Sequence, residues 1–148
     1  MTEIEPLQPQ RRFAAFAFAL LAALSLVSTL TWNIDFGGRR PAVRDISAIE
    51  ARAMLDSGAI AIDVRDKATA ASAHLPGALL IPLQVLSANL GSLEAYKTRR
   101  IVVYCGDGST SGPEAAALLG RAGFANVVNL RDGFESWRSA GLPTASDG

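Results

Sequence analysis

The chain has 148 residues, a length that fits one domain of ordinary size and excludes a long multidomain protein. It is 49% hydrophobic and 19% charged, which is too apolar for a disordered chain and poor in charge for a small soluble one, so part of it is expected to face a membrane. Basic and acidic residues number 14 each, so no net positive charge favours nucleic-acid binding, and we expect none. The sequence has one cysteine and one histidine, so we also expect no disulfide framework and no zinc-type metal cluster.

An uncharged apolar run, FAAFAFALLAALSLVSTLTW, occupies residues 13–32 behind two arginines and ends on a tryptophan. A helix of this length, at ~1.5 Å per residue, matches the ~30 Å apolar core of a bilayer. A cleaved signal peptide is the main alternative, but it needs a shorter core and a small-x-small cleavage site, and no Ala-x-Ala stands here. A buried core helix is disfavoured because so small a domain cannot easily enclose it. We therefore expect an uncleaved single-pass anchor between a tail (1–12) and a flexible linker (33–42).

The orientation of this anchor depends on flanking charges that nearly balance. Two arginines precede the run, and Arg39, Arg40 and Arg44 follow it, so the positive-inside rule favours neither side clearly. A first apolar helix behind a short tail often enters with its N-terminus inside. We expect the C-terminal domain outside the cytoplasm.

The elements predicted after the linker begin with a helix. Ser47 and Glu50 form a capping box that predicts a helix over 47–57, ended by Gly58. The apolar, β-branched run over 59–64 predicts a buried strand. The next predicted elements are one or two helical turns over 66–73, a strand over 78–81, a helix from Pro82 to about Asn89, a loop at Gly91 and a helical stretch to about Lys97.

The second half of the domain repeats the alternation. The predicted elements are a strand over 100–104, a flexible loop over 106–112, a helix from Pro113 to about Ala122 closed by Gly123, a strand over 126–130 and a helix over 132–140. Strands that alternate with helices predict an α/β fold, with a mostly parallel sheet covered by helices on both faces.

Cys105 is the first residue after the clearest predicted strand. Ligands of open α/β sheets bind beyond the carboxyl ends of the strands, where loop amides and a helix N-terminus favour negative charge. A thiolate there is stabilised and can act as a nucleophile. A free cysteine at a strand end is equally well explained as a small buried apolar residue, and position alone leaves both interpretations open.

Two phosphate-handling classes are disfavoured by the same loop. A P-loop needs a lysine, and the loop has none. A phosphatase of the His-Cys-x5-Arg type needs a histidine and an arginine where this chain has Tyr104 and Ser111. Without that guanidinium to grip phosphate, phosphate-ester chemistry is not expected.

Five motifs stand in a fixed order: IDVR (62–65), HLPGA (74–78) with IPL (81–83), VVYC (102–105), NLRDGF (129–134) with Trp137, and AGLP (140–143). Together they resemble the rhodanese family over about 43–144. The resemblance implies a sulfurtransferase whose cysteine takes sulfane sulfur from thiosulfate or a persulfide and passes it to cyanide, a small thiol or a protein thiol. With the anchor expected at 13–32, the enzyme would be tethered to a membrane. It implies no metal and no organic cofactor.

Under this resemblance Cys105 is the catalytic nucleophile. The substrate-binding loop is then formed by Gly106, Asp107, Gly108, Ser109 and Thr110. Amides aimed into such a loop would stabilise an anionic persulfide. Many relatives carry a basic side chain in this loop, and this chain carries none, so a non-catalytic binding module remains the alternative.

Two departures from the family pattern carry expectations of their own. Asp107, if it faces the pocket, should repel dianionic thiosulfate and make its turnover poor. Asp132 stands where the closing motif usually has glycine, and we expect it to cap the last helix.

The remaining candidates each have a structural and a functional interpretation. Asp63 and Arg65 are secondary site residues that could supply positive potential, although a structural ion pair is the simpler explanation. His74 beside a Pro-Gly turn is expected to bind local backbone rather than act as a base. Trp137 is expected in the core.

Overall fold

The computed structural model describes residues 43–147. The predicted tail, membrane segment and linker lie outside the described residues. Within 43–147, no helix combines the length and apolar character needed to cross a membrane.

Five strands form one sheet in which every neighbouring pair is parallel. They are β1 (Arg44–Ile46), β2 (Ile60–Asp63), β3 (Leu79–Leu80), β4 (Arg100–Tyr104) and β5 (Asn126–Leu130), in the spatial order β1-β5-β4-β2-β3. The central strand β4 is fully buried at Ile101, Val102 and Val103, as expected for a parallel sheet covered on both faces. The predicted α/β class is confirmed.

Helices cover the two faces of this sheet. They are α1 (Ala48–Asp56), α2 (Lys67–Ser72), α3 (Leu83–Leu86), a 3₁₀ helix (Ser87–Tyr96), α4 (Ser111–Arg121) and α5 (Gly133–Ser139). One apolar cluster joins α1 and α5 to the sheet and includes the buried Trp137, while the other joins α3, the 3₁₀ helix and α4. The core position predicted for Trp137 is confirmed.

The start of α1 follows from its capping box. The Glu50 amide donates to Ser47 Oγ at 3.3 Å, and the Ser47 amide donates to Glu50 Oε2 at 2.9 Å. These bonds satisfy amides that a helix start otherwise leaves without partners. The bonds that the Ser47 amide and hydroxyl donate to the Glu50 carboxylate lower the pKa of Glu50. The helix ends before Gly58, whose φ of 87° lies in the left-handed region. This predicted helix is confirmed.

Strand β1 is absent from the sequence prediction. Its three residues include two exposed side chains, and only Ile46 is buried. Pairing with β5 places Ile46 beside Leu130 and so creates the strand. Tertiary contact, rather than local pattern, makes this edge.

The segment after β3 also differs from expectation. The α-helix predicted from Pro82 to about Asn89 ends at Leu86, and the predicted loop at Gly91 is part of the 3₁₀ helix. The Asn89 side chain donates to the Val85 carbonyl, and such bonds compete with regular helical pairing. This part of the prediction was wrong because side-chain bonds favour the tighter turns.

Strand β4, which leads into Cys105, and its neighbour β2 form a switch point of the sheet, where the connections to the next strand run to opposite sides. From β2 the chain continues to β3 on one side, and from β4 it continues to β5 on the other. Such a switch leaves a crevice beyond the strand ends, which is the usual ligand position in open α/β sheets.

Candidate active site

An open cavity of about 650 Å³ lies at the carboxyl ends of β2 and β4. It is lined by Val64, Arg65, Asp66, Thr69, Gln84, Cys105, Gly106, Asp107, Thr110, Ser111 and Glu135. The fold thus brings the loops after both strands, the start of α4 and the first turn of α5 to one pocket.

Cys105 lies at the wall of this pocket, and the residue is 5% exposed. The Gly108 amide donates to its Sγ at 3.2 Å. On the other side, the Sγ–H donates to Asp107 Oδ1 at 3.7 Å. The sulfur therefore has one amide donor that suits a negative charge and one carboxylate that opposes it.

The loop residues of the prediction do not all face the pocket. Gly106, Asp107 and Thr110 line it, whereas Gly108 is buried and reaches the sulfur through its amide. Ser109 is exposed outside the pocket wall, and its amide donates to Asp107 Oδ1 at 3.0 Å. One of the amides that the sequence assigned to the substrate is thus bound by a side chain of the loop itself.

Asp107 is an ionised group beside the thiol. The amide and side chain of Ser109 lower the pKa of Asp107, with a smaller contribution from the Cys105 thiol. The carboxylate therefore keeps its charge throughout the neutral range. Asp107 lines the pocket, which is the position from which it was expected to repel thiosulfate.

Gly108 is needed for the shape of the loop. Its φ is 73°, and a Cβ there would collide with the amide nitrogens of Asp132 and Gly133. Gly133, at the start of α5, is constrained by the loop in turn. Its φ is 53°, and a Cβ there would collide with the carbonyl oxygens of Cys105 and Gly106. Loop and helix α5 are therefore in direct backbone contact.

Helix α5 uses its first amides to hold the cysteine loop. The Phe134 amide donates to the Cys105 carbonyl at 2.8 Å, and the Glu135 amide donates to the Gly106 carbonyl at 3.1 Å. Asp132 occupies the N-cap position with φ 56° but makes no side-chain cap bond. The expected capping by Asp132 was wrong, because the amides that its side chain would bind already serve the loop.

Asn129 supports the loop from β5. Its side chain is almost fully buried, and Nδ2 donates to the Gly108 carbonyl at 3.1 Å and to Asp45 Oδ1 at 2.8 Å. Its Oδ1 has no hydrogen-bond partner. This residue is absent from the site predicted from the sequence, although a polar side chain inside an apolar strand run is a visible signal.

Asp63 and Arg65 form a buried ion pair. Arg65 Nη2 and Asp63 Oδ2 are 2.6 Å apart, the two side chains are 8% and 0% exposed, and Nη2 also donates to the Ala73 carbonyl. The guanidinium lies 4.2 Å from the centroid of the Phe134 ring. Burial opposes the charge, but the bonds and charge of Asp63 prevail and raise the pKa of Arg65. The geometry matches the structural interpretation, since the charge that Arg65 brings to the pocket is neutralised by its partner.

Two buried polar side chains hold the HLPGA turn, one to the sheet and one to α2. Tyr104 Oη accepts the Leu75 amide at 3.0 Å, and burial followed by the Asp63 charge raises the pKa of Tyr104. His74 Nδ1 lies 2.9 Å from the Ala70 carbonyl oxygen, which is the local backbone contact expected for it. Neither residue lines the cysteine pocket.

These features define a class of protein, a parallel α/β domain that presents a cysteine in a glycine-rich loop at the switch point of its sheet. The family model "Rhodanese-like domain" matches residues 47–140, more than half of the chain. The chain belongs to the rhodanese-like domain family, and the resemblance drawn from the five motifs is confirmed.

Individual relatives agree. The chain is 34% identical to the thiosulfate sulfurtransferase GlpE of Pseudomonas fluorescens over 90 residues, covering 61% of this chain and 80% of that protein. It is 28% identical over 145 residues to the uncharacterized protein YibN of Escherichia coli (strain K12), covering 97% and 96%. Among solved structures, the Alr3790 protein from Anabaena sp. superposes with a TM-score of 0.61 at 31% identity, covering 68% and 81%.

Proposed function

We propose that the protein is a sulfurtransferase that carries sulfane sulfur as a persulfide on Cys105. The observation that carries this proposal is the position of Sγ at the pocket wall with the Gly108 amide aimed at it. The similarity to proteins that include a thiosulfate sulfurtransferase supports the same chemistry. The proposed reaction uses only the cysteine, the sulfur donor and the acceptor, and it requires no metal or organic cofactor.

The first half-reaction is a displacement at sulfur. The Cys105 thiolate attacks the terminal sulfur of the donor, an Sγ–S bond forms, and the donor's S–S bond breaks with its electron pair on the departing group. That group is sulfite when the donor is thiosulfate and a thiolate when it is a persulfide. The Gly108 amide and the N-terminus of α4 stabilise the negative charge that stays on the protein.

The second half-reaction regenerates the thiolate. Cyanide or a thiolate attacks the outer sulfur of the persulfide, takes it, and leaves the electron pair of the broken bond on Sγ. The backbone contacts between α5 and the Cys105 loop hold the loop through both steps, so little reorganisation is needed.

Intact-mass measurement tests the proposal directly. The full-length protein in detergent is incubated with thiosulfate or a small persulfide, and we expect a gain of one sulfur atom that cyanide removes as thiocyanate. Cys105→Ser is the control and should gain nothing. Absence of an adduct with every donor would contradict the proposal.

A non-catalytic binding module is the second candidate. It is favoured by the absence of a cationic side chain from the loop 106–110 and by the neutralisation of Arg65 by Asp63. In that case the Cys105→Ser protein would still restore the cellular role of a deleted gene. Failure of that variant to restore it would support sulfur transfer instead.

We also propose that residues 13–32 anchor the protein in a membrane, with the domain outside the cytoplasm. The uncharged run over 13–32 supports this proposal, because its length matches a bilayer. The similarity to YibN spans 145 residues, so the matched region includes this run. Membranes washed at alkaline pH should retain the protein. Protease added to intact spheroplasts should digest the domain, and a protected domain would reverse the proposed orientation.

A further inference from the structure

We propose that the Cys105 pocket selects persulfide donors that carry an ammonium group, such as persulfides of aminothiols, over anionic donors such as thiosulfate. The inference rests on the sulfurtransferase function proposed above and names its substrate class. It follows from which charges the fold brings to the pocket and which of them are neutralised.

Three carboxylates from three separate elements line the pocket. Asp66 comes from the loop after β2, Asp107 from the loop after β4, and Glu135 from the first turn of α5. Hydrogen bonds from Thr69 lower the pKa of Asp66, as those from Ser109 do for Asp107. Both groups are therefore charged at neutral pH.

Cations do not balance these charges within the pocket. Within residues 43–147, Arg65 is the only cationic residue that lines this pocket, and both oxygens of Asp63 bind it. Arg138 binds Glu135 at 2.8 Å, so one carboxylate is partly offset. Among residues 43–147, no salt bridge reaches Asp66 or Asp107.

The positive part of the site is narrow and lies at the sulfur itself. The Gly108 amide reaches Sγ, and the start of α4 reaches the pocket through Ser111. These groups favour one negative charge on the transferred sulfur. The charge of the thiolate stays on the persulfide, so sulfite departs from thiosulfate with both negative charges in a pocket lined by carboxylates. An ammonium two carbons from the sulfur would instead be attracted by those carboxylates.

Asp107 should have the largest effect on this choice. Its Oδ1 is 3.7 Å from Sγ, so any donor sulfur in line with the Cys105 thiolate passes close to it. In the reaction, Sγ bonds to the terminal sulfur and the aminothiol leaves as a thiolate that carries its own ammonium. The departing charge is thereby balanced within the leaving group.

Matched donors test the inference on the full-length protein in detergent. The persulfides of cysteamine, 2-mercaptoethanol and 3-mercaptopropionate place an ammonium, a hydroxyl and a carboxylate at similar distances from the sulfur. Single-turnover loading of Cys105 is followed by quenching and intact mass. We expect the cationic donor to load about tenfold faster than the anionic one at low salt, with the hydroxyl donor between them. The ratio should shrink as salt screens the open pocket over ~8 to 10 Å.

Asp107→Asn is the sharpest variant, because asparagine keeps the oxygen that accepts the Ser109 amide and loses only the charge. It should reduce the ratio of cationic to anionic loading by about threefold. Asp56→Asn is the matched control, since this exposed carboxylate binds Arg52 and lies outside the cysteine pocket. It should leave the ratio unchanged.

The possible outcomes separate the two proposals. Equal loading by the three donors, faster loading by the anionic one, or a preference that survives high salt would overturn the inference while leaving sulfur transfer intact. An unchanged ratio in Asp107→Asn would overturn the role given to that residue. A protein that no donor loads would overturn the proposed function itself.

Discussion

The loops that follow β2 and β4 line the same pocket, but they use charge in opposite ways. The β2 loop contains Arg65, whose charge is bound by the buried Asp63 and lies over the Phe134 ring. The β4 loop contains Asp107, which is exposed to the pocket and is bound by a backbone amide and the thiol. The Arg65 charge is used inside the fold, whereas the Asp107 charge stays available to a ligand because backbone contacts order its loop.

This difference assigns separate tasks to the two sides of the pocket. A buried pair organises structure but contributes no net charge to a ligand. A loop held by backbone donors and close glycine contacts can change its side chains with little effect on the fold. Substrate selection is therefore expected to depend more on Asp107 than on Arg65, and stability more on the Asp63–Arg65 pair than on Asp107.

The largest effect should come from breaking the pair. Asp63→Ala leaves the Arg65 guanidinium buried without its carboxylate, and the free energy of unfolding should fall by about 3–5 kcal/mol in chemical denaturation. The double variant Asp63→Ala with Arg65→Met removes both charges and should recover part of the loss. A single variant as stable as the wild type would show that the pair does not organise this loop.

Gly108→Ala attacks the β4 loop through its backbone. The new Cβ collides with the Asp132 amide, so the Gly108 amide should move away from Sγ. We expect a loss of about 2 kcal/mol in stability and a fall of about a hundredfold in the rate of sulfur loading. Gly77→Ala is the control, because its φ of 71° imposes similar strain with no atom within 4 Å of the added Cβ. If both variants load alike, the collision has no bearing on the sulfur.

Asn129→Leu tests the support of the same loop from β5. It removes the donor to the Gly108 carbonyl, and we expect about 1–2 kcal/mol of lost stability with a several-fold slower loading of Cys105. Asp45→Ala removes only the other acceptor of that amide and should leave the loading rate near the wild-type value. Equal effects of the two substitutions would mean that the bond to the loop is not the important one.

Asp107→Arg should sharpen the contrast between the loops by reversing the available charge. We expect thiosulfate turnover to rise by on the order of tenfold, with a smaller gain for an uncharged donor and a loss of the gain at high salt. Steady-state thiocyanate formation measures both. Identical rates at low salt would show that the carboxylate does not act on the donor.

The smallest effect concerns pH. Because hydrogen bonds from Ser109 hold the pKa of Asp107 below its ordinary value of 3.8, its charge stabilises the folded state above that value, and this contribution is lost as pH falls through the lower folded pKa. Thermal unfolding should therefore show wild type gaining on Asp107→Asn between pH 3 and pH 5, roughly the range in which an ordinary aspartate titrates. A constant difference across this range would contradict the assignment.

Much of the fold was predictable because its signals are local. The capping box at Ser47 and Glu50 marks α1, and short runs with β-branched apolar residues mark β2, β4 and β5. Strand β1 carries no such signal, since two of its three side chains are exposed and β5 alone makes it a strand. The 3₁₀ helix was not predicted because a side-chain bond from Asn89 to the Val85 carbonyl competes with α-helical pairing. The missing cap at Asp132 was not predicted because the first amides of α5 bind the distant Cys105 loop.

The site was predictable only in part. Cys105 and its loop could be placed from the motif at the end of a strand. The contribution of other segments to this site could not be predicted, because residues far apart in sequence meet only after the sheet orders its strands. These residues are Asp66 and Glu135, which line the pocket, and Asn129, which binds the loop.

The sequence by itself determined the α/β class, the family and the position of the cysteine, because these depend on periodicity and on short motifs. The tertiary structure alone decided how the charges are used. It turned Arg65 inward onto Asp63 and placed Asp107 beside the thiol, because burial and backbone donors at the ends of neighbouring strands determine which charges are neutralised. The partners in each pair are only two residues apart, but the contacts that orient them, with the Phe134 ring and with the first amides of α5, come from a distant part of the chain.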